Sequence, residues 1–290
     1  MKTEETLSTG PGRLYLVASP IGDMEDITLR ALRVLREVEI IASEDTRKTL
    51  RLMAFHGIKP GGRLVSCHEH NEEARTAELL GKLGDGKSVA LITDAGTPLV
   101  SDPGFRLVRS AIAKGFKVVP VPGASASLAA LSASGLPTDR FFFAGFLPKK
   151  RGDRLSRLNE LAGQTATMIF YESPQRVTAF LKELAQALGE RRAVVCREIT
   201  KTHEEFIRGT LSGLAQELES RKTVKGEITL VVEGADKKTG SFNRADFEQE
   251  VGKAKCGTSE LAGMLAKKYG MPRRMIYSEI LRLKEKKRRG

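Results

Sequence analysis

The stretch Ser88–Ala124, SVALITDAGTPLVSDPGFRLVRSAIAKGFKVVPVPGA, contains the pattern that decides the fold. Its apolar run Val89–Thr93 is typical of a strand buried on both faces of a parallel sheet. The strand ends at once in the loop Asp94–Pro98, where Gly96 permits a close approach to the backbone that a side chain would prevent. We therefore expect a ligand to contact the main chain of this loop.

A helix and a second strand follow the loop. Asp102-Pro103 predicts the start of the helix, with Asp102 as its N-cap and the proline in its first turn. The run Lys117–Val121 predicts the next strand, which ends at Pro122-Gly123. Two strand ends that open into Gly/Pro loops form the crevice where open α/β sheets bind ligands. Ordinary strand-to-helix turns without a ligand are the alternative.

The two loops contain neither of the common phosphate-binding sequences. Both G-x-G-x-x-G and G-x-x-x-x-G-K-[ST] are missing from them. The ligand expected here is therefore not a nucleotide held by its phosphates.

Apolar runs and helix patterns alternate along most of the chain, which predicts an α/β fold with open sheets in two domains, plus a small C-terminal helical extension. The predicted strands are Leu14–Ala18, Val38–Ala42, Val89–Thr93, Lys117–Val121, Phe141–Phe146, Thr167–Tyr171, Ala193–Cys196 and Glu227–Val232. The predicted division is a tail over 1–12, α/β domains over 13–123 and 124–234, a linker over 235–243 and a basic helical extension over 244–290.

Charged residues follow two of the predicted strands. One group contains Glu44, Asp45 and Arg47, and the other contains Glu198, Lys201 and His203. Functional groups concentrate where strands end, so each group is a candidate site. A helix cap with an ion pair explains the first group equally well, and structural ion pairing is the alternative for every residue named.

The segment CHEHNE, residues 67–72, invites a metal hypothesis that we reject. On a strand, His68 and His70 would share one face while Cys67 and Glu69 point the other way. Two ligands do not make a zinc site, and no second pair lies at suitable spacing. We expect no metal.

The charge balance points to a polyanionic partner. The 290 residues include 48 Lys and Arg against 36 Asp and Glu, a net charge of +12. Nucleic acid is the first candidate and a membrane surface the second. The last 20 residues, 271–290, carry eight basic and two acidic side chains. We interpret this appended segment as an arm that binds a polyanion.

Cysteine use and hydropathy predict the compartment. Three scattered cysteines suit a reducing environment without a disulfide framework. No apolar run approaches ~20 residues, and the N-terminal MKTEETLSTGPGR lacks an apolar signal region. We expect a cytoplasmic protein that does not bind membranes.

Eight segments together resemble the bacterial small-subunit ribosomal RNA methyltransferase I family, within the tetrapyrrole (precorrin) methylase superfamily. These segments are LYLVASPIGDMEDITLRAL (14–32), IIASEDTRKT (40–49), CHEHNE (67–72), LITDAGTPLVSDPG (91–104), VPGASA (121–126), FYESPQR (170–176), CREITKTHEE (196–205) and KGEITLVVEG (225–234). The chain departs from the family pattern at Gln175, where His is usual.

The resemblance implies two α/β domains with S-adenosylmethionine in the cleft between them, and a homodimer. It also implies 2′-O-methylation of a cytidine ribose in the decoding centre of 16S rRNA, in the small (30S) ribosomal subunit. The cofactor-binding residues that it implies are Pro20, Gly22, Asp94, Ala95, Gly96, Thr97, Pro98, Gly123, Ala124, Ser125, Tyr171, Gly226 and Glu227.

The residues also suit this chemistry in their own right. Transfer of a methyl group from a sulfonium to a hydroxyl needs orientation and removal of the hydroxyl proton. A carboxylate or a neutral lysine can take that proton, and a cation can stabilise the oxyanion. The catalytic candidates are Asp45, Arg47, Glu198, Lys201 and Lys225, and the choice of base among them stays open.

Two other classes of function remain. A tetrapyrrole C-methyltransferase would share the fold and cofactor, but the basic extension favours a polynucleotide over a small acidic macrocycle. A non-catalytic rRNA-binding assembly factor would need the basic patches but not the Gly/Pro pockets.

Overall fold

A five-stranded parallel sheet forms the first half of the chain. Its strands are β1 (Arg13–Val17), β2 (Ile40–Ser43), β3 (Leu64–Ser66), β4 (Val89–Ile92) and β5 (Lys117–Val121), in the spatial order β3-β2-β4-β1-β5. All four residues of the central β4 are buried, as its apolar run predicted. These positions come from a computed structural model, which describes residues 12–236, 244–254, 256–269 and 273–289.

Helices cover both faces of this sheet, which is why β4 is apolar on both of its sides. They are α1 (Leu29–Glu37), α2 (Thr46–Phe55), α3 (Glu72–Gly84) and α4 (Phe105–Ala113). One apolar cluster joins Leu35 of α1 and Leu52 of α2 to the sheet, and another joins Leu79 of α3 and Leu107 of α4 to its opposite face.

The second half contains a mixed five-stranded sheet. Its strands are β6 (Phe141–Phe146), β7 (Thr167–Glu172), β8 (Arg192–Arg197), β9 (Glu205–Thr210) and β10 (Ile228–Val232), in the order β6-β7-β10-β8-β9. Only the β6–β7 pair among these neighbours is parallel. The remaining helices of this half are α5 (Ala126–Ser134), α6 (Arg151–Glu160), α7 (Val177–Leu188) and α8 (Leu211–Ser220).

The sequence did not predict β9. Its segment EFIRGT contributes only Ile207 as a buried side chain, and the apolar alternation of a typical strand is weak. Ion pairs stabilise one end of this edge strand, because Glu205 pairs with Arg197 at 3.0 Å and with Arg221 at 2.8 Å. Tertiary pairing therefore made a strand where the local pattern indicated a loop.

The two halves share an apolar cluster. The small side chains of α5 let that helix lie closely on the second sheet, and Ala130 and Leu131 pack there with Ile169 of β7. Ile21, from the loop after β1, packs in the same cluster. The proposed domain boundary at 123/124 stays a prediction.

The C-terminal segment forms three helices with an apolar cluster of their own: α9 (Arg244–Lys253), α10 (Thr258–Tyr269) and α11 (Arg273–Arg289). On α11 the buried residues are Ile276 and Ile280, both 0% exposed and one helical turn apart. The neighbouring Met275 and Tyr277 are 58% and 39% exposed. The predicted linker falls mostly outside the described residues, as does the N-terminal tail except Gly12.

The predicted N-cap of α4 was wrong. This helix begins at Phe105, and its cap position is Gly104 with φ +119°, without a side-chain cap from its own segment. The carboxylate of Glu72 supplies the missing acceptor, because its Oε1 accepts the N–H groups of Gly104 at 3.2 Å and Arg106 at 2.9 Å. A residue distant in sequence thus caps the helix, and Asp102 is left for another role.

Glu72→Ala should lower the free energy of unfolding by about 1–2 kcal/mol, because both N–H groups lose their acceptor. Glu73→Ala is the matched control: it lies in the same first turn of α3, its side chain is 90% exposed, and its only ion pair in the described residues is with Arg106 at 3.4 Å. We expect the control to lose under ~0.5 kcal/mol. Urea unfolding of both variants measures the difference, and equal losses would contradict the capping role.

Candidate functional site

A cavity of about 390 Å³ lies between the two halves of the molecule. From the first half it is lined by Ile21, Ala95, Gly96, Thr97, Val100, Ser101 and Asp102. From the second half it is lined by Ser125, Ala126, Phe146, Tyr171, Glu172, Ser173, Pro174, Ile199, Gly226, Glu227, Ile228 and Thr229. Its position at strand ends is the one that open α/β sheets use for ligands.

The backbone of Gly96 forms hydrogen bonds that join its own loop to the loop after β1, so its N–H and C=O groups are already paired. Its N–H donates to the carbonyl of Ser19 at 3.1 Å, and its carbonyl accepts the N–H of Ser19 at 2.9 Å. Gly96 adopts φ +83°, a conformation that favours glycine. Gly96 and its neighbours Ala95 and Thr97 all line the cavity.

In the described residues, the non-glycine positions with strained backbone lie in two loops that contribute to the cavity wall. Among the described residues, the non-glycine positions with positive φ are Leu99 at 72°, Ser101 at 70°, Glu198 at 51° and Thr200 at 63°. They belong to two loops, and each loop contributes lining residues. Such strain costs free energy and clusters at binding sites, so these two loops are candidates for a functional role.

The first-half rim concentrates carboxylates. Asp94 accepts the N–H of Asp45 at 2.9 Å and pairs with Lys48 at 2.8 Å. Burial, and then the charge of Asp94, raise the pKa of Glu44. Burial, and then the charge of Glu44, raise the pKa of Asp102 to about 7. A cationic ligand would relieve this repulsion, whereas an anion would increase it.

The second-half rim contains a hydrogen-bonded ion-pair network. Glu198 Oε1 accepts Lys201 Nζ at 3.0 Å and the N–H of Glu227 at 2.8 Å, and Lys201 Nζ also pairs with Glu227 Oε2 at 3.0 Å. The backbone N–H of Glu227 lowers the pKa of Glu198 despite partial burial. Burial opposes the charge of Lys201, but the hydrogen bonds to Glu227 and Glu198 outweigh it and raise its pKa. At neutral pH, Glu198 is an anion and Lys201 a cation.

The two rims meet across the cleft. The N–H of Asp23 donates to Thr200 Oγ1 at 3.0 Å, and Gly22 lies so close that a Cβ there would be 2.6 Å from Lys201 Cγ. Glu227 also lies near enough to Lys48 to help raise its pKa. The structure therefore packs the loop that carries Thr200 and Lys201 against the loop after β1, and it brings Glu227 near Lys48 of α2.

Asp45 and Arg47 form a local pair at the start of α2. Asp45 caps that helix by accepting the N–H of Arg47 at 2.9 Å, and its carboxylate holds the guanidinium at 3.0 and 2.7 Å. The hydrogen bond with Arg47 keeps the pKa of Asp45 well below its usual range. This is the helix-cap arrangement that the sequence left open, and Arg47 keeps 82% of its side chain exposed.

The remaining predicted residues occupy different positions. Ala95, Gly96, Thr97, Ser125, Tyr171, Gly226 and Glu227 line the cavity. Pro20 and Pro98 are buried beside it, and Ala124 accepts the Thr97 hydroxyl at 3.3 Å. Gly123 packs against Ala18, since a Cβ there would be 2.8 Å from Ala18 Cβ. Lys225 and His203 are exposed and do not line the cavity.

Sequence reasoning missed three prominent lining residues. Asp102 was assigned to a helix cap, although the following Pro-Gly leaves room for a loop. Phe146 was assigned to a strand without regard to its end position. Glu172 was passed over, yet it is buried and pairs with Arg176 at 3.1 Å. Phe146 ends a predicted strand and Glu172 directly follows one, which was the available signal for these two.

The histidine segment forms a turn instead of a longer strand. β3 ends at Ser66, and Asn71 closes a turn by accepting the N–H of His68 on its side chain at 2.8 Å. In the part of the chain that is described, no three His, Cys, Asp or Glu side chains are grouped to hold a metal ion.

The family and its solved members agree with this architecture. A sequence model of the family described as Tetrapyrrole (Corrin/Porphyrin) Methylases matches residues 13–215. A cobalt precorrin-4 methyltransferase, a cobalamin biosynthetic enzyme, superposes with a TM-score of 0.58 at 20% identity over 76% of this chain and 94% of that one. A uroporphyrin-III C-methyltransferase from Thermus thermophilus, complexed with S-adenyl homocysteine, gives a TM-score of 0.53 at 23% identity over 76% and 97%. Fold and cleft thus define the tetrapyrrole methylase class.

Relatives that match most of this chain identify its family within the tetrapyrrole methylase class. A protein of Mesorhizobium japonicum is 48% identical over 273 residues, covering 94% of this chain and 92% of the relative. One of Micromonospora olivasterospora is 48% identical over 243 residues, covering 84% and 77%. Both are named Ribosomal RNA small subunit methyltransferase I. The chain belongs to the ribosomal RNA small subunit methyltransferase I family, which confirms the resemblance seen in its motifs.

Gly226→Ala should destabilise the fold more than Gly189→Ala. Both glycines have positive φ, +93° and +77°, so alanine at either should cost about 1–2 kcal/mol in backbone strain. At Gly226 a Cβ would also lie 2.4 Å from Glu198 Cγ, whereas at Gly189 nothing lies within 4 Å. The displaced Glu198 should add at least ~1 kcal/mol through lost hydrogen bonds. Urea unfolding compares the two, and equal losses would contradict the close contact.

Proposed function

We propose that the protein is an S-adenosylmethionine-dependent methyltransferase that acts on the ribose 2′-hydroxyl of a cytidine in the decoding centre of small-subunit (16S) rRNA. The observation that carries this proposal is a cavity rimmed by carboxylates, built by a chain of this family. The names of its relatives support an rRNA substrate. Those names state neither the nucleotide nor the hydroxyl, and both are part of our proposal.

The chemistry of the cavity suits this cofactor. S-adenosylmethionine supplies a methyl group on a positively charged sulfur and carries no phosphate. Glu44, Asp94 and Asp102 place negative charge at the rim, and Asp102 lines the cavity itself. The loops lack the glycine pattern that cradles phosphates. We propose that Ala95, Thr97, Ser125, Tyr171 and the strand end at Gly226 hold the cofactor, with Asp102 facing its positive charge.

The other residues that the resemblance implies fit as supports of this pocket. Gly96 closes the first loop onto Ser19, and Gly22 packs against the second rim. Pro20, Asp94, Pro98, Gly123, Ala124 and Glu227 complete the cofactor set that we propose. Calorimetric titration of variants at these positions with S-adenosylmethionine tests their role in binding.

Cofactor affinity should depend on the ionisation of Asp102. A cation binds best to the ionised carboxylate, and the pKa of that group in the free protein is about 7. Below that pH the carboxyl must lose a proton to bind, so affinity should fall by up to about tenfold per pH unit as the pH drops. Asp102→Asn should bind at least tenfold more weakly at pH 8 and should lack this component of the pH profile.

Calorimetric titration of both proteins with S-adenosylmethionine between pH 5.5 and 8.5 measures the effect. Because Asp102→Asn lacks the carboxyl group, its pH profile shows how much of the change in affinity comes from titration of the ligand itself. Parallel pH profiles for the two proteins would contradict a role for Asp102 in holding the cofactor.

The two rims supply the candidate catalytic groups. Lys201 is a cation between two carboxylates, suited to position a phosphate or stabilise a developing oxyanion. Asp45 and Glu198 have lowered pKa values, which makes each a weak base while its partner stays in place. Glu44 has a raised pKa and is the better proton acceptor by that criterion. Arg47 and Lys225 are exposed at the rims, where the substrate backbone would pass.

Five substitutions should sort these roles: Asp45→Asn, Arg47→Ala, Glu198→Gln, Lys201→Ala and Lys225→Ala. Loss of a base should lower the methyl-transfer rate by 10²–10⁴-fold with substrate binding intact. Loss of a phosphate contact should mainly weaken binding, and loss of a surface ion pair should do little. Single-turnover transfer of labelled methyl groups to undermethylated small subunits, with saturating cofactor, measures all five.

Two outcomes of this assay would overturn parts of the proposal. Rates within a few-fold of the parent for all five variants would place the catalytic group elsewhere, with Glu44 as the next candidate. If the parent protein methylates a tetrapyrrole but neither subunits nor naked rRNA, the proposed rRNA substrate is wrong. If it binds rRNA without methyl transfer, the protein is an assembly factor and not an rRNA methyltransferase.

We further propose that the helices α9–α11 form the predicted basic extension that binds rRNA. They have their own apolar cluster, so their outer faces are available for charge. On α11, Arg274 and Arg282 are exposed, and the α10–α11 pair is held by Arg273, which donates to the Ser259 hydroxyl at 2.8 Å. Cationic side chains on a folded module neutralise phosphates and make binding salt-dependent.

The partners and compartment follow from the same function. We propose a homodimer that acts on the 30S subunit in the cytoplasm. Exposed apolar side chains such as Phe105 and Ile112 on α4 offer surface for a second copy. Cys67 and Cys196 are buried free thiols, as suits a reducing compartment. In the described residues no helix has the length and apolar character needed to cross a membrane.

A further inference from the structure

We propose that the loop Phe146–Arg151 is the docking site for the single-stranded RNA that carries the target nucleotide. In this arrangement an unpaired base stacks on the ring of Phe146, and adjacent phosphates contact Lys149 and Lys150. The inference rests on the proposed rRNA substrate and adds the surface that receives it. Nothing in the resemblance assigned these residues a role.

Phe146 stands at the lip of the cavity. Its side chain lines the cavity wall, yet the residue is 62% exposed. Its ring lies 5.4 Å from that of Tyr171, which in turn lies 5.0 Å from Phe143. An aromatic series thus leads from the interior to the surface and ends in a ring that is largely open to solvent. Exposed aromatic rings are common stacking platforms for unpaired bases.

A second groove continues from Phe146 along the surface. This groove, of about 380 Å³, is lined by Phe146, Leu147, Pro148 and residues of α6, which include Arg157 and the carboxylates of Asp153 and Glu160. Phe146 is therefore shared between the cavity and the groove. A strand that places one nucleotide at the cavity mouth can continue into the groove without leaving the surface.

The loop is held rigidly in this position. Leu147 is buried in the apolar core of the second half. The buried guanidinium of Arg154 donates to the carbonyls of Pro148 at 3.1 Å and Lys149 at 2.7 Å. Glu183 holds Arg154 through two hydrogen bonds of 2.6 and 2.9 Å. A loop fixed in advance loses little conformational entropy when it binds.

Positive charge lies directly beside the exposed ring. Lys149 and Lys150 are exposed, and neither forms an ion pair with another described residue. Arg151 follows, 3.6 Å from Glu183 and mostly exposed. An aromatic platform with adjacent unpaired cations matches the chemistry of single-stranded RNA, which offers a stackable base and a phosphate at each step.

The cofactor adenine is the competing occupant of the Phe146 ring. The enclosed part of the cavity contains other apolar surfaces, including Ala126 and Ile228, against which an adenine can lie. The exposure of Phe146 favours a ligand that arrives from outside. Separate measurement of cofactor and RNA affinities distinguishes the two occupants.

The first test replaces the ring. In Phe146→Ala, the subunit concentration at half-maximal single-turnover rate should rise at least tenfold, while the calorimetric affinity for S-adenosylmethionine stays within twofold. Phe146→Tyr should restore most of the lost affinity, because it keeps the stacking face. Phe55→Ala is the matched control, since Phe55 is 60% exposed on α2 and lines no part of the cavity.

The second test removes the charges. The double variant Lys149→Gln/Lys150→Gln should weaken subunit binding and flatten its dependence on salt, because fewer phosphates are neutralised. Lys114→Gln/Lys117→Gln removes two exposed lysines elsewhere and should change the salt slope less. Thermal unfolding of every variant shows that the fold is retained.

Each result has a defined meaning. A parent inactive on subunits and on rRNA would overturn the proposed function, and this docking site with it. An active parent with an unaltered Phe146→Ala variant would overturn the docking site alone. An equal loss of cofactor and subunit affinity would assign the ring to the cofactor. Equal salt slopes for the two double lysine variants would show that Lys149 and Lys150 do not contact RNA phosphates.

Discussion

The cavity depends on how the loop Ser19–Gly22 is held between the two halves of the chain. Its Ser19 backbone pairs with Gly96 in the neighbouring loop of the first sheet. Two residues later Ile21 enters the apolar cluster of the second half, and Gly22 packs against the loop that carries Lys201. Because one short segment makes all of these contacts, the two rims are set at a defined separation. The glycine at position 22 is required by that packing, since any side chain would collide with Lys201 and Thr200.

The charge of the rims follows from this separation. Carboxylates that would be unremarkable on a surface lie close together and partly out of water, so the pKa values of Glu44 and Asp102 rise. Across the cleft, Lys201 is neutralised by two carboxylates. The cleft rim is thus rich in carboxylates, while the chain as a whole has a net charge of +12. This division suits an enzyme that holds a cation inside and a polyanion outside.

Two features at the surface, the exposed ring of Phe146 and the C-terminal helices, suit the rRNA that we propose as the substrate. Phe146 lies at the lip of the cavity, on a loop that Arg154 and Glu183 stabilise from within. The C-terminal helices form a separate apolar cluster and carry exposed cations such as Arg274 and Arg282. We propose that the loop receives the target strand and that the extension adds affinity independent of the chemistry at the cleft.

Sequence alone determined the α/β class, the buried central strand Val89–Ile92, the loops at the strand ends and the family, because apolar periodicity and contiguous motifs are local properties. It placed Glu198 and Lys201 at a strand end but could not bring Glu227, the partner of Lys201, near Lys48, because that proximity joins distant parts of the chain. It misassigned Asp102 and missed β9. A helix start can be capped by a remote side chain, here Glu72, and an edge strand can form through pairing with its neighbour. Tertiary structure alone decided which carboxyl is buried enough to titrate near neutrality, because desolvation depends on what the rest of the chain packs around it.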